Sequence, residues 1–307
     1  ILDEANLTFL PKSIKNPVEV ENERIAHIKD GVALTKFICW LKKNVGKITM
    51  TELSAGEKLY SFRAQQENFI DNSFDPIISY GIHAAINHYS ATPETDIAIE
   101  PGNFLLADTG GHYYEGTTDT TRTIVMGSVN DEQKKYFTAV LRGMLNLGNA
   151  KFRYGCTGVN LDYLARGPLW EMGQDFNHGT GHGVGYLLNV HEGPNSFRWR
   201  IIQGDNAVLE EGMITSDEPG YYVENQYGIR HENLLVCKKA EKTSFGQFMC
   251  FEHLTMVPFD LDAVVPELMT VQERALLNNY HAQVYKKISP YLEEEEKEWL
   301  KEATREI

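Results

Sequence analysis

Apolar residues recur at helical spacing soon after the start of the chain. Ile25, Ile28, Val32 and Leu41 share one face, which predicts a helix from about Asn16 to Lys43, with Pro17 in a helix-start position. A second helix is expected after Thr51, running to about Phe69. Residues 76–126 read as strand-rich. Asn130 then offers an N-cap, with Gln133 three residues on as its capping-box partner, for a long helix to about Tyr154. A shorter helix is expected at about 160–172, strands and loops at 176–258, and two closing helices at 270–288 and 291–305, split by Pro290. Residues 1–16 read as irregular. Helices, strands, helices, strands, helices is an α+β order with antiparallel hairpins, not the strict βαβ alternation of a parallel sheet.

The two strand-rich stretches resemble each other. The first reads Glu100-Pro-Gly102-Asn-Phe-Leu-Leu-Ala-Asp108-Thr-Gly110 and then Tyr113-Tyr114. The second reads Glu211-Gly212-Met-Ile-Thr-Ser-Asp-Glu218-Pro-Gly220 and then Tyr221-Tyr222. In both, a turn glycine precedes an acid by six residues, and another glycine follows two residues later. Each copy returns through a further strand to a second acid, Asp119 or Glu232. Each also follows a helical region, so the pattern reads as a diverged duplication whose halves bring four carboxylates together.

Composition narrows the chemistry. The 307 residues carry 29 basic and 43 acidic side chains, a formal net charge of −14. An acidic surface repels phosphate backbones, so no nucleic-acid partner is expected. No apolar run reaches membrane-spanning length, so no membrane partner is expected either. Cys39, Cys156, Cys237 and Cys250 are scattered, and in a chain this long they fit a reducing, cytoplasmic setting. The chain starts Ile1-Leu-Asp-Glu, which is neither a signal peptide nor an initiator Met, so a fragment or a processed chain is expected. The expected organisation is a linker at 1–16, a catalytic domain at 17–258 with halves of about 17–129 and 130–258, and a helical extension at 259–307.

Four converging carboxylates repel one another unless cations lie between them. Two divalent ions remove that cost, and oxygen ligands with one imidazole suit Mn2+, Co2+, Fe2+ or Zn2+. The imidazole is expected from His178-Gly-Thr-Gly-His182-Gly-Val-Gly185. Alternating glycines oppose a helix there, and an extended chain puts His178, Thr180, His182 and Val184 on one face while the glycine face admits a neighbouring backbone. The stretch is no dinucleotide loop, because Val184 stands where G-x-G-x-x-G requires glycine. In Tyr227-Gly-Ile-Arg230-His231-Glu232, strand alternation sets Arg230 beside Glu232 and His231 opposite. Asp217 likewise faces away from Glu218. His88 and His191 are candidates to stabilise an oxyanion. His27, His83, His112, His253 and His281 read as ordinary surface or core histidines. There is no G-x-S-x-G elbow and no H-E-x-x-H.

These motifs, in order, are Leu-Ala-Asp108-Thr-Gly, Thr118-Asp119-Thr-Thr-Arg122-Thr123, His178-Gly-Thr-Gly-His182-Gly-Val-Gly, Asn189-Val-His191-Glu-Gly-Pro, Asp217-Glu218-Pro-Gly and Gly-Ile-Arg230-His-Glu232-Asn. Together they resemble the creatinase/aminopeptidase, or pita-bread, metallopeptidases, and within that family the Xaa-Pro aminopeptidase (aminopeptidase P) type. The resemblance runs from about Lys12 to the C-terminus. It implies a pita-bread fold: two pseudo-symmetric α/β halves around a curved antiparallel sheet. It implies two divalent ions, usually Mn2+, with Co2+ or Zn2+ as substitutes. Asp108 would bind one ion, His182 and Glu218 the other, and Asp119 and Glu232 would bridge both. Glu218 would also shuttle the proton of a bridging water. His88 and His191 would contact the scissile carbonyl, and His178 and Arg230 would border a proline pocket. The implied reaction removes the N-terminal residue from short peptides with proline second, and a homodimer is the implied assembly. The competing readings are a prolidase-like dipeptidase, a methionine aminopeptidase, and a non-catalytic binding protein on the same fold.

Overall fold

A computed structural model describes residues 6–307 of the chain. The first half begins with a short helix α1 (Phe9–Ser13), the long helix α2 (Pro17–Asn44) and α3 (Glu52–Arg63). Strands β1 (Phe69–Asn72), β2 (Ile77–Tyr80), β3 (Asn103–Thr109), β4 (Gly111–Tyr113), β5 (Gly116–Thr117) and β6 (Thr120–Met126) follow. The second half repeats the plan with α4 (Asp131–Gly148), β7 (Lys151–Arg153), α5 (Tyr163–Trp170), β8 (Gly181–His182) and β9 (Ser196–Phe197), then β10 (Ile214–Asp217), β11 (Gly220–Val223), β12 (Tyr227–Arg230), β13 (Asn233–Thr243) and β14 (Gly246–His253). Helices α6 (Val271–Ile288) and α7 (Glu294–Ala303) close the chain.

Local chemistry accounts for the helix starts. Asn16, Asn130 and Thr270 cap α2, α4 and α6 with reciprocal capping boxes to Glu19, Gln133 and Glu273. Four boundaries differ from those the sequence predicts. Residues 9–13 form a helical turn and Ile14 bridges Met213, where irregular chain was expected. Helix α3 stops at Arg63, because Phe69 pairs with Tyr113 across β1 and β4. Helix α4 stops at Gly148, because Lys151–Arg153 is claimed as an edge strand by Phe248–Cys250 of β14. The last helix starts at Glu294, after a 3-10 turn at Ser289–Tyr291.

The two halves are built alike. In the first, β3 pairs with β2 and β6, and in the second, β13 pairs with β10 and β14, all antiparallel. Asp108 is near the end of β3 and Asp119 immediately precedes β6, with the β4–β5 hairpin between them. Glu218 immediately follows β10 and Glu232 precedes β13, with the β11–β12 hairpin between them. Gly102 and Gly212, which launch the matching strands, have φ of 123° and 94°, a region costly for other residues. The halves join where Glu232 N–H donates to the Thr121 carbonyl at 3.1 Å and where Thr123 Oγ1 exchanges hydrogen bonds with the Arg230 backbone.

Apolar faces of α2 and α3 cover the first sheet through Leu34, Phe37, Leu41 and Leu59 against Leu105, Ile124 and Met126. Helices α4 and α5 cover the second through Leu147 and Ala165, with Leu161 just ahead of α5, against Leu235, Cys237 and Met249. The largest core cluster ties α4 and the C-terminal helix α6 to Phe104, Val125 and Ile229. Polar residues near the strand ends of the two halves converge on a central cleft, where ligand atoms of Asp108, Asp119 and Glu232 lie within 4.8 Å of one another.

Candidate metal centre

Strand alternation decides which side chains face that central cleft. On the first half these are Asp108, Asp119 and Thr121. On the second they are Glu218, Arg230 and Glu232, joined by His182 from β8. Strand β8 lies against β10 because Gly181 has no side chain: a Cβ there would stand 1.8 Å from the Ser216 carbonyl oxygen. Gly183 and Gly185 approach the carbonyls of Glu192 and Asn189 in the same way, so the glycine face does admit neighbouring backbone.

The ligand-type atoms of these residues fall into overlapping sets, each lying within 4.8 Å. Asp108, Asp119 and Glu232 make one, and His182, Glu218 and Glu232 make another. His182 Nδ1–H donates to the Gly183 carbonyl at 2.9 Å, which turns Nε2 toward Asp119 Oδ2 at 3.4 Å and Glu218 Oε1 at 3.5 Å. Asp119 and Glu232 are almost wholly buried. Burial, and then the neighbouring carboxylates, push both acids well above the usual carboxylate range. Burial pushes Glu218 up as well, but His182, His178 and Arg230 outweigh it and hold Glu218 below its ordinary value. A pocket that strains to keep its acids charged, with an imidazole nitrogen turned toward them, fits a pair of divalent cations.

Supporting residues fix these donors in place. Thr121 Oγ1–H donates to Glu232 Oε2 at 2.7 Å. Ser216 Oγ–H donates to Glu218 Oε1 at 3.0 Å and accepts the His182 N–H at 2.9 Å. Arg230 Nη2 donates to Asp108 Oδ2 at 2.5 Å, and its Nη1 donates to the Tyr222 hydroxyl at 2.8 Å. Tyr222 O–H in turn donates to His178 Nε2 at 2.9 Å, while His178 Nδ1–H donates to the Gly179 carbonyl at 2.8 Å. Behind the strands, the buried Arg122 guanidinium donates to the carbonyls of Glu232 at 2.6 Å and Thr121 at 2.8 Å, and lies 4.0 Å above the Phe259 ring.

The structure brings together all five residues expected as ligands. His178 and Arg230 line the same cleft, linked through Tyr222. His191 stands over His182 with ring centroids 3.9 Å apart, and it forms a third close set with Asp119 and His182 that the sequence did not suggest. Burial and then His182 lower its pKa, with His88 contributing from nearby. His88 is exposed on a loop, with φ 57°. That loop is held by Glu52, which accepts from Tyr80 N–H at 2.7 Å and the Tyr89 hydroxyl at 2.8 Å. Asp217 and His231 point away from the cleft, Asp217 toward Gly148 and His231 between Phe137 and Phe259. His27, His83, His112, His253 and His281 find partners elsewhere. Thr121, Ser216 and Tyr222, which hydrogen-bond Glu232, Glu218 and Arg230, are the positions in the site that sequence reasoning left unassigned. All three lay inside stretches already quoted, but nothing in the sequence says which hydroxyl meets which ligand.

Residues 21–239 match metallopeptidase family M24, and residues 247–307 match the C-terminal region of peptidase M24. The chain is 43% identical over 303 residues to a "Probable Xaa-Pro aminopeptidase P" of Paracoccidioides brasiliensis, an alignment covering 96% of this chain and 49% of the relative. It is 39% identical over 322 residues to "Aminopeptidase P1" of Arabidopsis thaliana, covering 97% and 50%. The crystal structure of an X-prolyl aminopeptidase from Caenorhabditis elegans, described as a cytosolic enzyme with a di-nuclear active site, superposes with a TM-score of 0.93 at 37% identity, covering 99% of this chain and 50% of that one. The chain thus spans about half the length of the curated relatives it matches. Among the described residues, no helix is long and apolar enough to cross a membrane.

Proposed function

The chain belongs to metallopeptidase family M24, and from that membership we propose that it is a dinuclear metal-dependent aminopeptidase releasing the N-terminal residue of peptides with proline at the second position. The observation that carries this reading is the convergence of Asp108, Asp119, His182, Glu218 and Glu232 into overlapping ligand sets. Asp108 would hold one ion, His182 and Glu218 the other, and Asp119 and Glu232 both. Mn2+ suits this oxygen-rich donor set, with Co2+ or Zn2+ able to replace it. The two ions, when bound, supply Lewis acidity and an activated water.

The protein's own residues do the rest. Glu218, favoured in its ionised form by His182, His178 and Arg230 and oriented by Ser216, takes a proton as water adds to the carbonyl carbon, and returns it to the proline nitrogen as the C–N bond breaks. His191 and His88, at the open side of the cleft, donate to the carbonyl oxygen as it gains charge. His178 and Arg230, fixed through Tyr222, border the space for the proline ring. Residues 17–258 would form the catalytic unit and 259–307 its helical extension. The description of the Caenorhabditis elegans relative supports a cytosolic location, and the family resemblance supports a homodimer.

The test is metal content measured together with hydrolysis of an Xaa-Pro-Xaa tripeptide, before and after chelation. Two equivalents of metal and chelation-sensitive release of the first residue are expected. Cleavage confined to Xaa-Pro dipeptides would indicate a prolidase instead, and metal binding without any cleavage would indicate a binding protein.

A further inference from the structure

Lys15 is a lysine buried to 1% side-chain exposure, in the short segment that precedes residues 21–239. Burying an ammonium is costly unless its donors are satisfied. Its Nζ donates to the Val184 carbonyl and to the Ser13 carbonyl at 3.4 Å, and it lies 4.0 Å from Glu192 Oε1. Glu192 is itself nearly buried, and its other oxygen is ion-paired with Lys12. Among the described residues, Glu192 Oε1 has no hydrogen-bond partner, which leaves Lys15 as the cation beside it. The backbone of this segment is anchored as well: Lys15 N–H donates to the Gly212 carbonyl at 3.0 Å, and Ile14 bridges Met213.

The two places that Lys15 grips flank the candidate chemistry. Val184 is two residues beyond His182. Glu192 follows His191, and its N–H donates to the Gly183 carbonyl at 2.8 Å. Leu187 and Leu188, in the intervening loop, adopt φ of 56° and 68°, conformations that need outside support in residues other than glycine.

We propose that Lys15, assisted by Lys12, is a positioning residue for the peptidase reaction: residues 12–15 form a strap that pins the loop carrying His191 over the metal-binding cleft. The inference rests on the role proposed above for His191. It makes a segment that reads as a linker a working part of the site. Removing the strap's charge frees Glu192 and lets His191 drift from the carbonyl oxygen, where a displacement of about 1 Å is enough to cost up to about a hundredfold in rate.

The experiment uses the metal-loaded full chain and a tripeptide Xaa-Pro-Xaa substrate. Lys15→Met is expected to speed amide exchange in residues 185–195 about tenfold or more, to leave residues 103–109 unchanged, and to lower kcat about tenfold with metal content intact. In a His191→Ala background, Lys15→Met should cost less than about twofold further, because both act through one group. Lys12→Met, at a half-exposed position, should shift both readouts the same way by about threefold, and it carries the test if Lys15→Met fails to fold. Lys151→Met, which removes an exposed pair with Glu241, should change neither. Unchanged exchange at 185–195, or losses that multiply in the double variant, would overturn the proposal. Full kcat in His191→Ala alone would sink the role given to His191 and the inference with it, a failure recognisable because it involves no strap residue.

Discussion

The Arg230 guanidinium grips the Asp108 carboxylate at 2.5 Å, across the junction of the two halves. One carboxylate oxygen is thereby committed to the arginine, and an Asp108 oxygen also lies within 4.8 Å of ligand atoms on Asp119 and Glu232. The same guanidinium reaches Tyr222 and, through Nε at 3.3 Å, Thr121. A lysine could keep the charge but not these three directions at once. Arg230→Lys is therefore expected to retain its bound metal yet lose about tenfold or more in kcat/KM on Xaa-Pro-Xaa peptides. Metal analysis alongside steady-state kinetics checks this, and wild-type kinetics would remove Arg230 from the site's working parts.

Asp119 and Glu232 pull in opposite directions depending on whether metal is present. Without it, burial and mutual repulsion oppose their ionisation, so Asp119→Asn should raise the melting temperature of chelated protein. With metal, if Asp119 is the shared ligand proposed above, its loss should abolish the stabilisation expected from added Mn2+. It should also cut activity by more than the ~10–100-fold typical of groups one step removed from a metal. Thermal melts with and without Mn2+ read both signs, and a variant still stabilised by Mn2+ contradicts the assignment.

How much of this was legible beforehand depended on range in sequence. The matched spacing from Gly102 to Asp108 and from Gly212 to Glu218 is local, since hairpin geometry sets it, and it anticipated the four carboxylates. The alternating glycines from 179 to 185 likewise announced close backbone approach. The end of α4 was not legible, because Lys151–Arg153 becomes a strand only when β14, far downstream, pairs with it. Thr121, Ser216 and Tyr222 are ordinary residues until the fold brings ligands to their hydroxyls. Lys15 is the extreme case: a lysine in an apparently irregular leader carries no sign that it will be buried.

Acid sensitivity follows from histidines buried without charge. Burial lowers His27 to about 4, with a partial counter-pull from the Glu23 carbonyl and Asp30. An unfolded chain binds this proton near pH 6.5 and the folded protein only near 4, so protonation favours unfolding. The stability is fully present above pH 6.5 and is lost as pH falls toward 4. The loss at pH 5 is about 2 kcal/mol for a site shifted this far. His27→Leu should flatten the decline in stability between pH 7 and 5, whatever it does to absolute stability. Denaturant melts of both proteins across that range provide the comparison, and parallel curves would show that His27 does not take part.

Gly181 and Gly56 make opposite predictions for the same substitution. A Cβ on Gly181 would sit 1.8 Å from the Ser216 carbonyl oxygen and 3.0 Å from the Phe197 ring. Neither neighbour can retreat easily, since Ser216 lies in β10 and Phe197 pairs with Gly181 itself. Gly181→Ala must therefore push β8 off β10. That would cost about 1–3 kcal/mol or more of overpacking and carry His182 away from Asp119 and Glu218. Gly56 lies inside α3, and a Cβ there meets only Ile78 at 3.7 Å, an ordinary contact. Gly56→Ala should stabilise by about 0.5–1 kcal/mol, because glycine is the poorer helix former, and it should leave metal binding untouched. Melting temperature and Mn2+ affinity measured on the two variants test whether the close approach of β8 to β10 holds the imidazole in place. If Gly181→Ala bound Mn2+ as tightly as Gly56→Ala does, that packing could not be what positions His182.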